Sequence, residues 1–257
     1  MIIPVRYVTM NWMISAVILT HNNEDSIGRT LASVSWCDER IVMDDMSTDT
    51  TVDIAKKHGA VVYKRDLLDD FAAQRNVALA KTKGEWVLFV DSDEVIPSEL
   101  AREIQSSMTD THSTIAGYFC KRTDVMWGRE LRHGETTHVM LLRLAKKNAG
   151  VWRGRINEIW DIQGKTEIFH TPILHFPHPN VAQFLSEINR YSTIRARQLH
   201  EKGIRTNLFE IIAYPVGKFF LNYVWRLGIL DGMPGAASAI LMSFHSFLVR
   251  AKLWIKV

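Results

Sequence analysis

The sequence predicts an α/β protein whose parallel sheet passes into a mixed one and is followed by a C-terminal helical, amphipathic extension. Three observations carry this expectation. Apolar runs alternate with segments of helical periodicity through the N-terminal half, which is the pattern of strands joined by helical crossovers. One run, Trp86-Val87-Leu88-Phe89-Val90, follows Gly84-Glu85 and ends abruptly in Asp91-Ser92-Asp93-Glu94. Five apolar residues in a row, some β-branched or aromatic, suit a central strand covered on both faces. Finally, the net charge is +3 over 257 residues, yet residues 205–257 hold six Lys/Arg against two Asp/Glu, so the remainder sums to −1.

Composition excludes several classes. With 47% apolar and 10% aromatic residues the chain can build a sizeable core and is not disordered. Cys37 and Cys120 lie far apart and lack metal-site spacing, so a disulfide-stapled fold is excluded and a reducing cytoplasm is expected. Met1 to Trp12 is apolar but lacks the basic start and small-residue cleavage site of a secretory signal, and it reads as an N-terminal extension with Met10 or Met13 as alternative starts.

Ile14 to Thr20 is the first strand, broken at His21-Asn22-Asn23-Glu24. Ile27, Leu31 and Val34 then mark a helix. Arg40 to Met43 runs into Asp44-Asp45-Met46-Ser47-Thr48-Asp49, whose polar cluster can cap a helix through Lys57 that stops at Gly59. Ala60 to Tyr63 is a third strand, and Asp69 to Lys83 a helix feeding the strand that ends in acids. Thr20 to Glu24, Asp44 to Ser47 and Asp91 to Glu94 therefore fall along one edge, the carboxyl ends where open α/β sheets gather ligands. On an extended backbone Asp91 and Asp93 share a face, where a hard divalent cation would bridge them to phosphate oxygens. The competing reading is a solvated turn opening the helix at Pro97-Ser98-Glu99.

Beyond Ala116 to Cys120 the strands shorten, Val139 to Leu144 and Ile168 to Leu174 being the clearest, and pairing there is expected to be antiparallel or mixed. Asp124 to Gly134 is a loop dense in side chains suited to a sugar, among them Trp127, Arg129 and His133. Glu158 follows Arg153 and Arg155. A surface ion pair with them, worth little, stands against a catalytic role. His170, His175 and His178 interleave with prolines, and strand-end packing competes with a metal site.

Four segments together resemble the donor-binding half of inverting family 2 glycosyltransferases of the GT-A fold. They are Ala16 to Glu24, Val42 to Asp49, Gln74-Arg75-Asn76-Val77-Ala78-Leu79 and Gly84 to Glu94. Trp127-Gly128-Arg129, Arg132-His133-Gly134, Arg143-Leu144, the Glu158 segment, His175 and Asn189-Arg190-Tyr191-Ser192 further resemble the lipopolysaccharide-core β-1,4-glucosyltransferase branch, over about residues 14–235. Two departures fall on the acceptor side: Asn157 stands where the family has His, and Glu135 to His138 replaces a Gly-Trp-type segment.

The resemblance implies a UDP-sugar donor and Mg²⁺ or Mn²⁺ held by Asp93 and Asp91. It implies nucleoside contacts from Thr20, Glu24 and Asp44 or Asp45, and diphosphate organisation by Arg75. It also implies Glu158 as the base that takes the acceptor proton, with Glu135 and Asp124 behind it. Trp127, Arg129, His133 and His175 fall to the acceptor side, His175 also as a third metal contact. Transfer to a polyprenyl phosphate, which needs no base, and a binding module without catalysis remain alternatives.

From Asn180 a helix with Val181, Phe184, Leu185, Ile188 and Tyr191 on its apolar face runs to Gly203. The expected division is therefore an extension over 1–12, a glycosyltransferase domain over 13–204 and a tail over 205–257. In the tail Lys218, Asn222 and Arg226 form a narrow polar stripe, and Ala236 to Val249 gives 14 uncharged residues, short of a bilayer span of about 20. Attachment to the inner face of the cell membrane through anionic lipid is expected, with packing on the domain or on a second copy as the competing reading. A lipid-linked or membrane-proximal glycan is the expected acceptor, and nucleic acid is not expected as a partner.

Overall fold

The computed structural model describes residues 12–109, 114–135, 139–155 and 158–255. Most of the N-terminal extension, His138 and Asn157 lie outside them. The chain divides into two compact units, residues 1–121 with 140–174 and residues 122–139 with 175–257. The expected boundary at 204/205 does not coincide with this division, because the long helix after Asn180 groups with the tail.

The first unit runs β1 (Ile14–Thr20), α1 (Ile27–Ser33), β2 (Glu39–Asp44), α2 (Thr51–Lys57), β3 (Val61–Lys64), α3 (Phe71–Lys81) and β4 (Trp86–Asp91). It continues through β5 (Glu94–Val95), α4 (Ser98–Ser107) and β6 (Ile115–Met126), whose last residues enter the second unit with β7 (Arg129–Glu130). It resumes with β8 (Met140–Lys146), β9 (Gly150–Arg153), β10 (Ile159–Ile162), β11 (Lys165–Ile168) and β12 (Ile173–His175). The sheet order is β3-β2-β1-β4-β8-β6-β12-β5. Pairing is parallel from β3 to β4 and antiparallel at β4-β8 and β8-β6, so the sheet is mixed as expected. The strand expected over 168–174 is instead two, β11 and β12, separated by a buried Phe169.

Alternate residues of β1, β2 and β4 enter two different buried clusters, Ile18, Val42 and Leu88 in one and Val17, Ile41 and Phe89 in the other. Both faces are thus covered, which is why these strands read as continuous apolar runs. Phe89 meets Trp152 and Trp160 edge-on, each at 5.0 Å between ring centroids. Gly84 is required where β4 enters beside β1, since a Cβ there would lie 2.6 Å from the Met13 carbonyl oxygen. Register then brings the strand ends level: Thr20 is opposite Asp44, and Leu19 opposite Asp91.

In the second unit, Trp127 (φ 51°) and Gly128 (φ 82°) form the two-residue loop between β6 and β7, a type I′ hairpin turn where an open loop was expected. The helices are α5 (Val181–Glu201), α6 (Leu208–Phe220) and α7 (Gly232–Trp254). A π turn over Leu221–Trp225 and a 3₁₀ turn over Gly228–Asp231 join the last two. Asn180 caps α5, its side chain accepting from the Gln183 N–H at 2.8 Å. Ala196 and Leu199 of α5 pack with Val249 and Leu253 of α7.

One tail expectation is corrected. Helix α7 has 23 residues instead of 14, because Gly232, Pro234 and Gly235 sit in its first turn, where proline forfeits no intrahelical bond. By length and composition Gly228–Trp254 is one helical segment able to cross a membrane among the described residues. Two members of the polar stripe meet one carboxylate. Lys218 Nζ lies 2.6 Å from Glu135 Oε1, and Asn222 Nδ2 donates to Glu135 Oε2 at 3.1 Å.

Candidate active site

The three level strand ends are joined by side chains of their own loops. Asn23 Oδ1 accepts from Thr20 Oγ1 at 3.0 Å and from Ser92 Oγ at 2.8 Å, tying the end of β1 to the turn after β4. Thr30 Oγ1, buried on α1, lies 2.8 Å from the Glu94 carbonyl oxygen and 2.9 Å from that of Ser92, fixing the turn from below. Glu24 Oε2 accepts from the Thr50 N–H and hydroxyl at 3.1 and 2.6 Å, bracing the loops after β1 and β2.

Asp44 and Asp45 separate in role. Asp44 is fully buried, its Oδ2 accepting from the Ser47 N–H at 3.1 Å while Oδ1 has no hydrogen-bond partner among the described residues. Asp45 keeps 26% of its side chain exposed and accepts from the Leu67 N–H at 2.9 Å. Of the pair, only Asp45 is accessible to a ligand.

The densest charge cluster centres on Asp91. Arg75 on α3 donates from Nη2 to Asp91 Oδ1 at 2.9 Å and from Nε to Glu158 Oε1 at 2.8 Å. Its guanidinium carbon also lies 4.6 Å from the Trp152 ring centroid, a cation–π contact that orients the group. Arg143 on β8 donates to Asp91 Oδ2 at 2.5 Å and to Glu94 Oε1 at 2.6 Å. The antiparallel register Leu88↔Leu144 is what sets Arg143 beside the carboxyl end of β4. Burial alone would raise the pKa of Asp91, but the charges and hydrogen bonds of Arg143 and Arg75 hold it well below the usual carboxylate range. Arg143 stays protonated because Asp91 and Glu94 outweigh the burial that would lower its pKa.

Several expectations change here. Asp93 lies in the turn after β4, not on extended backbone, so the two-residue spacing does not place it on one face with Asp91. Both Asp91 oxygens are already engaged by guanidiniums. Glu158 does not pair with its sequence neighbours: Arg153 goes to Asp161 at 2.8 Å and Arg155 to the Leu68 carbonyl at 3.2 Å, leaving Glu158 to Arg75. Arg143 and Glu94 carried no assigned role in the sequence, although a lone arginine in the strand Met140–Lys146 signals a buried charge that must be paired.

Among the described residues no group of three or more His, Cys, Asp or Glu is placed to hold a metal. The three histidines meet three different carboxylates: His170 with Glu103, His175 with Asp124 and His178 with Glu187. For His175, expected as a third metal contact, the 2.7 Å approach of Nδ1 to Asp124 Oδ1 is the interaction formed. A divalent ion is still compatible with the first unit, since Mg²⁺ takes one or two carboxylates and completes its shell with substrate phosphates and water, and Asp93 offers a hard oxygen donor.

The remaining acceptor-side candidates lie in the second unit. Trp127 is 39% exposed at its hairpin tip. His133 donates its N–H to Asp231 Oδ2 at 2.8 Å and approaches Oδ1 through Nδ1 at 2.8 Å, while Arg129 donates to the Leu230 carbonyl at 3.0 Å.

Three parallel strands end level at one sheet edge, two of them in acids, with an arginine bridging two carboxylates there, and open α/β sheets gather ligands at such an edge. The family model for glycosyl transferase family 2 matches residues 15–176, and the chain belongs to that family and is a glycosyltransferase of the GT-A fold. It is 28% identical to an uncharacterised glycosyltransferase of Rickettsia typhi over 252 residues, 93% of this chain and 86% of the relative. It is 26% identical to the lipopolysaccharide core biosynthesis glycosyltransferase LpsC of Rhizobium meliloti over 256 residues, 94% of this chain and 92% of LpsC. Among solved structures it is similar to S. aureus TarS, with a TM-score of 0.46 and 19% identity over 71% of this chain and 39% of that one. It is also similar to glucosyl-3-phosphoglycerate synthase of Mycobacterium tuberculosis, solved with Mn²⁺ and UDP, with a TM-score of 0.35 and 29% identity over 46% of this chain and 45% of that one.

Proposed function

We propose that this glycosyltransferase moves a hexose, glucose by preference, from a UDP-sugar to a hydroxyl of a membrane-proximal glycan or glycolipid such as lipopolysaccharide core, with inversion. The observation that carries the reading is the chain Glu158–Arg75–Asp91, which joins a candidate base to the donor edge through one guanidinium. Glu158 Oε2 takes the proton of the acceptor hydroxyl while Arg75 holds Oε1. The hydroxyl oxygen then forms its bond to the anomeric carbon as the bond from that carbon to the diphosphate breaks, and UDP departs with the electron pair. General bases contribute ~10²–10⁴-fold to such steps. Thr20 and Asp45 contact the nucleoside, Asp45 accepting a base N–H, and Glu24 and Asp44 shape the loops around it. Arg75 and Arg143 keep Asp91 ionised and supply positive charge near the leaving diphosphate. A Mg²⁺ or Mn²⁺ held by Asp93, with Asp91 behind it, would neutralise charge on that diphosphate.

The second unit supports a place at the inner face of the cell membrane. On α6 the residues Phe209, Ile212, Val216 and Phe220, spaced by three or four, are 78%, 59%, 51% and 57% exposed. An apolar stripe turned outward while the polar stripe is tied to Glu135 suits a bilayer surface. The reading is tested by titrating UDP into the protein with Mn²⁺, after chelation, and with Asp93→Asn. Binding should need the metal, because acidic groups otherwise face a diphosphate of like sign. Equal affinity under all three conditions would sink the metal role.

A further inference from the structure

Within the second unit, α5, α6 and α7 line an open pocket of about 730 Å³. Arg195, Lys218, Arg250 and His245 line it, with Glu135 and Tyr214, and most of the remaining surface is aliphatic. Lys218 is neutralised by Glu135 at 2.6 Å. The two arginines differ from it. Arg250 lies over the Tyr214 ring at 3.9 Å, and Arg195, exposed to solvent, donates to the neutral Gln198 side chain at 3.3 Å. Neither makes an ion pair among the described residues. Burial lowers the pKa of His245, so at neutral pH it adds a hydrogen-bonding group without charge. The cavity therefore combines two uncompensated guanidiniums with an apolar wall, opening in the unit that carries the exposed apolar stripe of α6.

We infer that this cavity receives the phosphate of an anionic glycerophospholipid, its guanidiniums forking onto the phosphate oxygens while the acyl chains lie along the exposed apolar surface of the same helices. Planar guanidiniums suit phosphate bidentately. A neutral headgroup carries no net charge to answer two arginines, and a free inorganic phosphate leaves the apolar wall unused. The inference deepens the membrane reading above and rests on it for the source of the lipid.

The test uses the full chain and dihexanoyl phosphatidylglycerol below its micelle concentration, so that the cavity is probed without a bilayer. Calorimetric titration should show binding that weakens by about ten- to a hundredfold in Arg195→Gln/Arg250→Gln. The pair Arg197→Gln/Arg205→Gln, which removes equal charge from exposed positions outside the cavity, should bind as the parent does. Circular dichroism confirms that both variants are folded. No binding of the short-chain lipid by the parent overturns the inference, as does equal binding of dihexanoyl phosphatidylcholine or of inorganic phosphate. Flotation with vesicles of phosphatidylglycerol in phosphatidylcholine separates the two levels. If the parent floats but the short-chain lipid does not bind, the membrane reading stands and the cavity assignment fails. If the lipid binds and no vesicle is bound, the cavity stands and the membrane reading fails.

Discussion

Arg143 should be among the most costly residues of the first unit to remove. Its side chain is 4% exposed and its partner Glu94 is fully buried, so Arg143→Met removes a guanidinium from two carboxylates, one of them in the interior. Breaking a buried pair from one side costs about 3–5 kcal/mol, and denaturant unfolding should register a loss of that order. A loss below about 1 kcal/mol would mean that Glu94 finds another partner or a proton. This residue also marks the limit of what the sequence revealed at the site. Thr20, Asp45, Arg75, Asp91 and Glu158 could be named because strand ends and family motifs single them out. That Asp91 is held by two guanidiniums could not, because the partner Arg143 is 52 positions away and is delivered by an antiparallel register. The spacing argument for Asp93 assumed that β4 stays extended past Asp91, where the chain in fact turns.

At the scale of elements, continuous apolar runs set the bounds of β1 and β4 almost residue for residue, since burial on both faces leaves no alternation to misread. Errors collect where composition and backbone disagree. Counting uncharged residues shortened α7, because Pro234 and two glycines look like a stop but are tolerated in a first turn. The stripe Lys218, Asn222 and Arg226 is legible from its spacing of four, but not that its lysine and asparagine are drawn to Glu135, a residue more than eighty positions upstream. The strand packing of the first unit gives a direct readout through its thiols. Cys37 and Cys120 are both buried, burial pushing the Cys37 thiol up and that of Cys120 up to about 12. Neither is an available thiolate at pH 8, so both should resist a disulfide reagent until the unit unfolds, and labelling should follow the global unfolding rate. Reaction of either cysteine within seconds in native buffer would contradict the packing of the segment after α1, which holds Cys37, or of β6, which holds Cys120.

For the whole molecule, the proposed chemistry and the proposed membrane attachment rest on different units. Arg75, Asp91 and Glu158 belong to the first, while the apolar helices and the cationic cavity belong to the second. Sequence composition separated these roles, since the tail carries the excess positive charge, even though the compact units divide elsewhere. Acceptor-dependent turnover at Glu158 is the decisive property. The direct measurement is UDP release from UDP-glucose with Mn²⁺ and a lipopolysaccharide-core acceptor, made for the parent and for Glu158→Gln alongside UDP affinity. Loss of a general base predicts a fall in kcat of about two orders of magnitude or more with UDP affinity unchanged. Turnover of Glu158→Gln at the parent's rate, with Glu135→Gln or Asp124→Asn inactive, would contradict it.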